Sequence, residues 1–270
     1  MYTKAGVGMS HHRNPVMAGR EAVEAALKTG DIQKPDFVFM FASVGYNQQA
    51  LVKSVRESSG GAPLCGCSGE GTIFRGGIDE SNFSVAVMVI SSDELRFING
   101  MSTGLKTDSA GVGHAVANTI SPEIDSDALA LFVLSDGLTF NFDRFLNGLE
   151  GELNLDHLLP LFGGAAADNW QLKQTYQYYN DDVVSDGVSW ALLSGNARIT
   201  WAVNHGCVST GVEHKITRCE ENIIYEIDNK PALEVLKEYL TGDEIADWGK
   251  AVIHLTLGFE TPGHMEGYDD

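Results

Sequence analysis

One pattern occurs twice in this chain, and it restricts the possible folds more than any other feature. The segment PDFVFMFAS (35–43) is matched by SDALALFVLS (126–135). APLCGCSGEG (62–71) is matched by LPLFGGAAAD (159–168), and FSVAVMVIS (83–91) by GVSWALLSG (187–195). A proline followed three positions later by glycine recurs as Pro63/Gly66 and Pro160/Gly163. The spacing from Asp36 to Pro63 is 27 residues and from Asp127 to Pro160 is 33, a difference that one loop absorbs. The pattern predicts an internally duplicated β-α-β-β-β unit, in an α/β (α+β) fold. Each unit buries one sheet face under its own helices, and its copy is the nearest cover for the other face. The expected architecture is an α/β/β/α sandwich with the two Gly-rich loops in related positions.

The local signals fit this plan. Asn14–Pro15 opens a helix with Val16, Ala22, Val23, Ala26 and Leu27 on its buried face, and Thr29–Gly30–Asp31 stops it. Phe37–Ala42 and Ala128–Leu134 are near-continuous apolar runs, as expected of strands buried on both faces. Leu51, Val52 and Val55 mark a second helix. Phe83–Ile90 reads as a strand paired with Leu95–Ile98 through a turn at Ser91–Asp93. Thr107 or Asp108 caps a helix that ends near Ile120. Asn141 caps another, with Phe142, Phe145, Leu146 and Leu149 on one stripe. Tyr176–Tyr179, Val188–Leu193 and Ile199–Asn204 are expected strands. Residues 222–228 are a further short strand, followed by a helix with Leu233, Leu236 and Leu240 facing inward. Val252–Leu257 is the last expected strand.

Composition narrows the function. The chain has 270 residues, 43% of them apolar, and a net charge of −19. Its length suffices to bury a core without disulfides or metal. Its charge repels phosphate backbones and anionic bilayers, which argues against nucleic-acid and membrane partners. The longest apolar runs are too short to span a bilayer. Together with four cysteines and no secretory signal, this predicts a cytoplasmic protein with reduced thiols.

Four places carry candidate chemistry. In CGCSGEG, glycines let the amides near Gly66, Cys67, Ser68 and Gly69 turn inward as an anion-binding nest. Cys67 is also a candidate nucleophile for a thiol hydrolase or transferase; its alternative is a small buried apolar residue. No Lys-Ser/Thr follows the last glycine, so the loop is not a Walker motif. In the second loop, Gly163 and Gly164 permit close backbone packing, and Asp168 is either an ammonium acceptor or a turn aspartate. Asp136, in the turn after the second apolar strand, points toward the same cluster. His205, beside a glycine at a strand end, is either a pocket ligand or a satisfied histidine. The CxC spacing is poor for zinc. No clustered acid/base set favours an enzyme.

Taken in order, AGVGMS (5–10), PDFVFMFAS (35–43), APLCGCSGEG (62–71), LSDGL (134–138), PLFGGAAAD (160–168), NHGCVSTG (204–211) and IDNKPALEVL (227–236) resemble the FIST sensory domain family. The resemblance implies a FIST N-terminal region over 1–221, in two repeats of about 1–121 and 122–221. It implies the start of the family's C-terminal region over 222–270, cut short. It further implies a non-enzymatic, intracellular sensor of a small polar metabolite such as an amino acid. The implied partner is a signalling protein such as a histidine kinase or chemotaxis receptor. One branch of the family binds haem and senses nitric oxide; here His205 would be the axial ligand to test.

Overall fold

The computed structural model describes residues 2–74, 76–124, 126–153, 159–200, 212–220, 223–247, 255 and 257–258. They fall into two compact units, Met1–Ile199 and Thr200–Asp270.

The first unit begins with β1 (Thr3–Ser10), α1 (Pro15–Gly30), β2 (Phe37–Ala42), α2 (Gln48–Ser58) and β3 (Leu64–Ser68). A small hairpin, β4 (Thr72–Phe74) and β5 (Gly77–Asp79), leads to β6 (Val85–Ser92). Then follow β7 (Leu95–Thr103), α3 (Leu105–Ile120), β8 (Ala128–Asp136), α4 (Phe142–Glu152) and β9 (Leu161–Ala166). A second hairpin, β10 (Gln177–Tyr179) and β11 (Asp182–Val184), precedes β12 (Gly187–Gly195). One sheet has the order β1-β6-β2-β3-β10-β11 and the other β7-β12-β8-β9. In both, the two inner strands of the repeat pair in parallel (β2 with β3, β8 with β9). In both, the last strand of the repeat lies antiparallel between the first strand and an inner one. The chain is therefore duplicated as β-α-β-α-β-hairpin-β.

The repeat is longer than the sequence signal. Leu95–Ile98 does not pair with Phe83–Ile90 as expected; β7 pairs with β12 in the other sheet. The connection between β6 and β7 looks like a hairpin turn but carries the chain from one sheet to the other. The repeats accordingly run from Thr3 to Ser92 and from Leu95 to Gly195.

Strand alternation builds three apolar layers. On β2, Val38, Met40 and Ala42 pack with Ala22, Val23 and Ala26 of α1 and Leu51, Val52 and Val55 of α2. The alternate residues Phe37, Phe39 and Phe41 face the other sheet. There Phe37 stacks on Phe97 with centroids 4.6 Å apart, and Phe39 meets Phe132 edge-on at 5.1 Å. On the far side, Leu131, Val133, Trp190 and Leu192 pack against Val112, Val116, Phe145 and Leu149 of α3 and α4. This is the α/β/β/α sandwich that the duplication predicts.

The caps explain where helices begin. Asn14 Oδ1 accepts from the amides of Val16 and Met17, with Pro15 in the first helical position. Val16 itself is 53% exposed, so it lies off the buried face. Asn47 and Asn141 cap α2 and α4 alike, accepting from Ala50 N at 3.0 Å and Arg144 N at 3.1 Å. Asp108 is non-helical within α3 and accepts from Gly111 N, so it caps the longer part of that helix.

The repeated proline and glycine share one physical cause. Pro63 O accepts from Val38 N and Pro160 O from Leu131 N, both at 2.9 Å, which locks each parallel strand pair. A Cβ on Gly66 would stand 2.1 Å from Met40 O, and one on Gly163 only 1.7 Å from Val133 O. Gly163 also has φ near +145°, a backbone that L side chains rarely adopt. In each repeat the second parallel strand lies too close to its neighbour to carry a side chain there.

The second unit contains β13 (Ile216–Glu220), β14 (Ile223–Ile227) and β15 (Lys230–Pro231) in one antiparallel sheet. α5 (Ala232–Lys237) and α6 (Gly242–Ala246) follow it. Among its described residues, Ile227 and Val235 are the buried apolar ones, while the expected core residue Leu233 is 46% exposed. Most of the expected strands at 199–204 and 252–257 lies outside the described residues, and Ile199 and Thr200 are not in a strand. No helix among the described residues is long and apolar enough to cross a membrane.

Candidate functional site at the paired glycine loops

The loops that leave β3 and β9 occupy equivalent places in the two repeats, at the carboxyl ends of the parallel strands. The structure brings them into direct contact, and Ser68 is the junction. Its amide donates to Tyr176 O at 2.8 Å, and its hydroxyl donates to Ala167 O at 2.8 Å. The same hydroxyl accepts from Tyr176 N at 3.0 Å, and Ser68 O accepts from Ala167 N at 3.1 Å. Ser68 is 1% exposed, so these bonds are shielded from water.

All the expected site residues except His205 lie among the described residues. Gly66, Cys67 and Ser68 belong to β3 rather than to an open nest. Ser68 N is bonded to Tyr176 O and Gly69 N to Ala42 O, so neither amide is free for an anion. Cys65 and Cys67 face the layer between the sheets. Burial pushes the Cys65 thiol up to about 12, partly offset by a hydrogen bond with Ser189. Burial pushes the Cys67 thiol up as well, with a smaller contribution from Cys65. A neutral, buried thiol is a packing residue, and Cys67 has none of the features of an activated nucleophile.

Asp168 is 3% exposed and anchors its own loop. Its Oδ1 accepts from Leu172 N at 2.9 Å, and its Oδ2 from Lys173 N at 2.6 Å and Gln174 N at 3.0 Å. Burial raises its pKa, but these amides outweigh burial and hold the carboxyl below its ordinary value. Asp136, also 3% exposed, accepts from Leu138 N and Thr139 N on one oxygen and from Asp186 N on the other. Both aspartates organise turns. Gly163 and Gly164 are exposed on β9, and a Cβ on Gly164 would meet nothing. His205 lies outside the described residues, as does the haem expectation that rests on it. Among the described residues no group of three or more His, Cys, Asp or Glu could hold a metal ion.

The structure adds residues that the sequence reading passed over. Glu70, from the first loop, accepts from Trp170 N in the second at 3.2 Å. Burial raises the Glu70 pKa, the Trp170 amide lowers it, and the charge of Asp168 raises it again; the net shift is upward. Asn169 donates from its amide nitrogen to Asn82 Oδ1, while its own Oδ1 is buried without a hydrogen-bond partner. Asn169, Trp170 and Leu172 all have positive φ, and Trp170 and Leu172 are 59% and 70% exposed. Strained backbone of this kind persists only where its surroundings fix it, here the three bonds to Asp168. The signal in the sequence was Glu70 itself, a lone charge inside a glycine loop.

A model of the FIST N domain matches residues 36–230, close to three quarters of the chain. The chain belongs to the FIST family. Membership suggests a role in sensing and signal transduction. Over 190 residues, 65% of this chain, the sequence is 30% identical to an uncharacterized protein of Methanocaldococcus jannaschii. The match covers 35% of that relative's length, so this chain corresponds to about a third of it. Among solved structures, a cyanuric acid hydrolase from A. caulinodans aligns over 72% of each chain at a TM-score of 0.39 and 11% identity. A likeness that distant carries neither fold nor activity to this chain.

Proposed function

We propose that this FIST domain is a non-catalytic sensor that takes a small, amine-bearing metabolite, such as an amino acid, at the paired loops. The observation that carries the reading is the set of acceptors left there. Glu70 is held above its ordinary carboxyl pKa by burial and by Asp168, and Asn169 Oδ1 is buried without a donor. An ammonium group supplies a positive charge beside Glu70 and an N–H donor for Asn169 Oδ1. Trp170, next to Asn169 in the chain and 59% exposed, brings an aromatic ring to the same loop, a group that can take a cation on its face. The net charge of −19 favours a cationic head over an anionic one. The amides of Ser68 and Gly69 are already bonded, so the amine end, not the carboxylate end, anchors the ligand.

Two loops from two repeats meet at this point, so a ligand that tightens Glu70 on Trp170 also tightens one repeat on the other. That coupling would be read by a signalling partner such as a histidine kinase or chemotaxis receptor. A thermal-shift screen of amino acids and simple amines tests the reading. A ligand at 100 times its Kd raises stability by about 2.7 kcal/mol. The expected result is a hit whose shift disappears in Glu70→Gln while the unliganded melting temperature is kept. A screen answered only by carboxylates without an amine would contradict it.

A further inference from the structure

Three segments of the second unit bring a hydroxyl, an imidazole and a carboxylate into one line of hydrogen bonds. Asp228 stands in the two-residue turn between β14 and β15, His214 just before β13, and Tyr239 just after α5. Asp228 Oδ2 and His214 Nδ1 are 2.7 Å apart, and His214 Nε2 is hydrogen-bonded to the Tyr239 hydroxyl. The two rings meet edge to face, with centroids 5.8 Å apart and planes at 85°.

The carboxylate is fixed in place. Asp228 and Asn229 have φ of 52° and 61°, as a tight hairpin turn requires. Asp228 N donates to Lys215 O at 2.8 Å, and Asp228 Oδ1 accepts from Lys215 N at 2.9 Å, so the turn is tied to the residue next to His214. The hydrogen bond with His214, then that from the Lys215 amide, hold the Asp228 carboxyl below its ordinary value. An ionised carboxylate only accepts, which puts the ring proton on Nδ1. Nε2 keeps its lone pair, and the Tyr239 O–H donates to it. This is the order of a nucleophile, its base and the group that orients the base. Lys230 is held by Glu238 at 3.0 Å and Lys237 by Glu234 at 2.9 Å. The net charge of −19 repels a phosphate-bearing donor, whereas a neutral acyl donor meets no such barrier.

We propose that Tyr239 is a modification site that takes an acyl group from a neutral activated ester or thioester. The phenol oxygen bonds to the acyl carbon while His214 Nε2 takes the phenol proton. The bond from the acyl carbon to the leaving oxygen or sulfur breaks, and the leaving group receives that proton. Asp228 is a positioning residue. The product is a tyrosine ester without the O–H that joins Tyr239 to His214, so acylation breaks the link between that histidine and the end of α5. The site lies within the second unit and does not depend on the ligand reading at the paired loops.

The test is acetylation of the full chain by p-nitrophenyl acetate, quenched with acid and read by peptide mass spectrometry. Tyr225, on β14 of the same unit, is the internal control. It is 38% exposed, more than Tyr239, and its ring meets Arg218 at 4.6 Å rather than a histidine. Tyr239 should be acetylated about tenfold faster than Tyr225 or more, the scale of general-base assistance. In His214→Gln the ratio should fall to about one, and in Asp228→Asn it should fall part of the way. The Tyr225 rate and the circular dichroism should stay unchanged in both. A wild-type ratio near one overturns the proposal, and decides by itself if a variant fails to fold. A high ratio that both folded variants keep overturns it as well.

Discussion

Replacing Asp168 separates a structural aspartate from a ligand-holding one. In the structure its two oxygens accept three backbone amides, from Leu172, Lys173 and Gln174, in a site only 3% exposed. A hydrogen bond to a charged acceptor contributes about 1.5–3 kcal/mol, so three bonds set an upper limit several times larger. The loop can open locally and rehydrate its amides, which reduces the global loss in Asp168→Ala to about 3 kcal/mol. Asp168→Asn keeps one acceptor oxygen and should lose about half of that. The pH dependence follows from the depressed carboxyl. A group whose folded pKa lies below its unfolded value stabilises the fold above the unfolded value, about 3.9 for aspartate, and that contribution is lost as pH falls through the folded pKa. Urea titrations at neutral and acidic pH should therefore show wild type losing its advantage over Asp168→Asn as the pH drops. A loss below about 0.5 kcal/mol in Asp168→Ala, with an unchanged acid slope, would refute this reasoning.

The duplicated glycines provide a matched pair. Gly66→Ala and Gly163→Ala should each cost about 2–3 kcal/mol in urea melts, because a strand must move to clear the carbonyl of Met40 or Val133. Gly164→Ala, with nothing near its Cβ, should stay within about 0.5 kcal/mol of wild type. The cysteines should divide by burial: Cys219 is exposed and should react with a thiol reagent in the native state. Cys65 and Cys67 should be modified only after unfolding, as read by peptide mass spectrometry. Rapid native labelling of Cys67 would revive its reading as a nucleophile.

Much of the fold was legible because the apolar pattern was strong and repeated. FVFMFA and ALALFVLS read as strands covered on both faces, and the shared Pro–x–x–Gly marked the two halves as copies of one unit. Less legible was the point where one repeat ends. The short turn after β6 resembles a hairpin, and only long-range pairing with β12 shows that β7 belongs to the second sheet. The two Gly-rich loops were expected in related positions of the two repeats and are found there, but the hydrogen bonds of their residues were not legible in advance. Glycine content suggested a nest of free amides, whereas strand pairing uses the amides of Ser68 and Gly69. The carboxylate of Asp168 is used by amides four to six residues ahead, which no spacing rule announces. Glu70 was visible only as one charge among glycines; its importance comes from Trp170, a hundred residues away.

The most direct test of the sensor assignment is an amide chemical-shift map of the protein titrated with the best amine-bearing ligand of the screen. The shifts should concentrate at Ser68–Gly71 and at Ala167–Gln174, with the Trp170 indole among the largest. A concavity of about 410 Å³ lined by Lys4, Asp31 and Lys34 lies at the opposite end of the first sheet. Shifts gathered there, or spread without focus on the two loops, would contradict it.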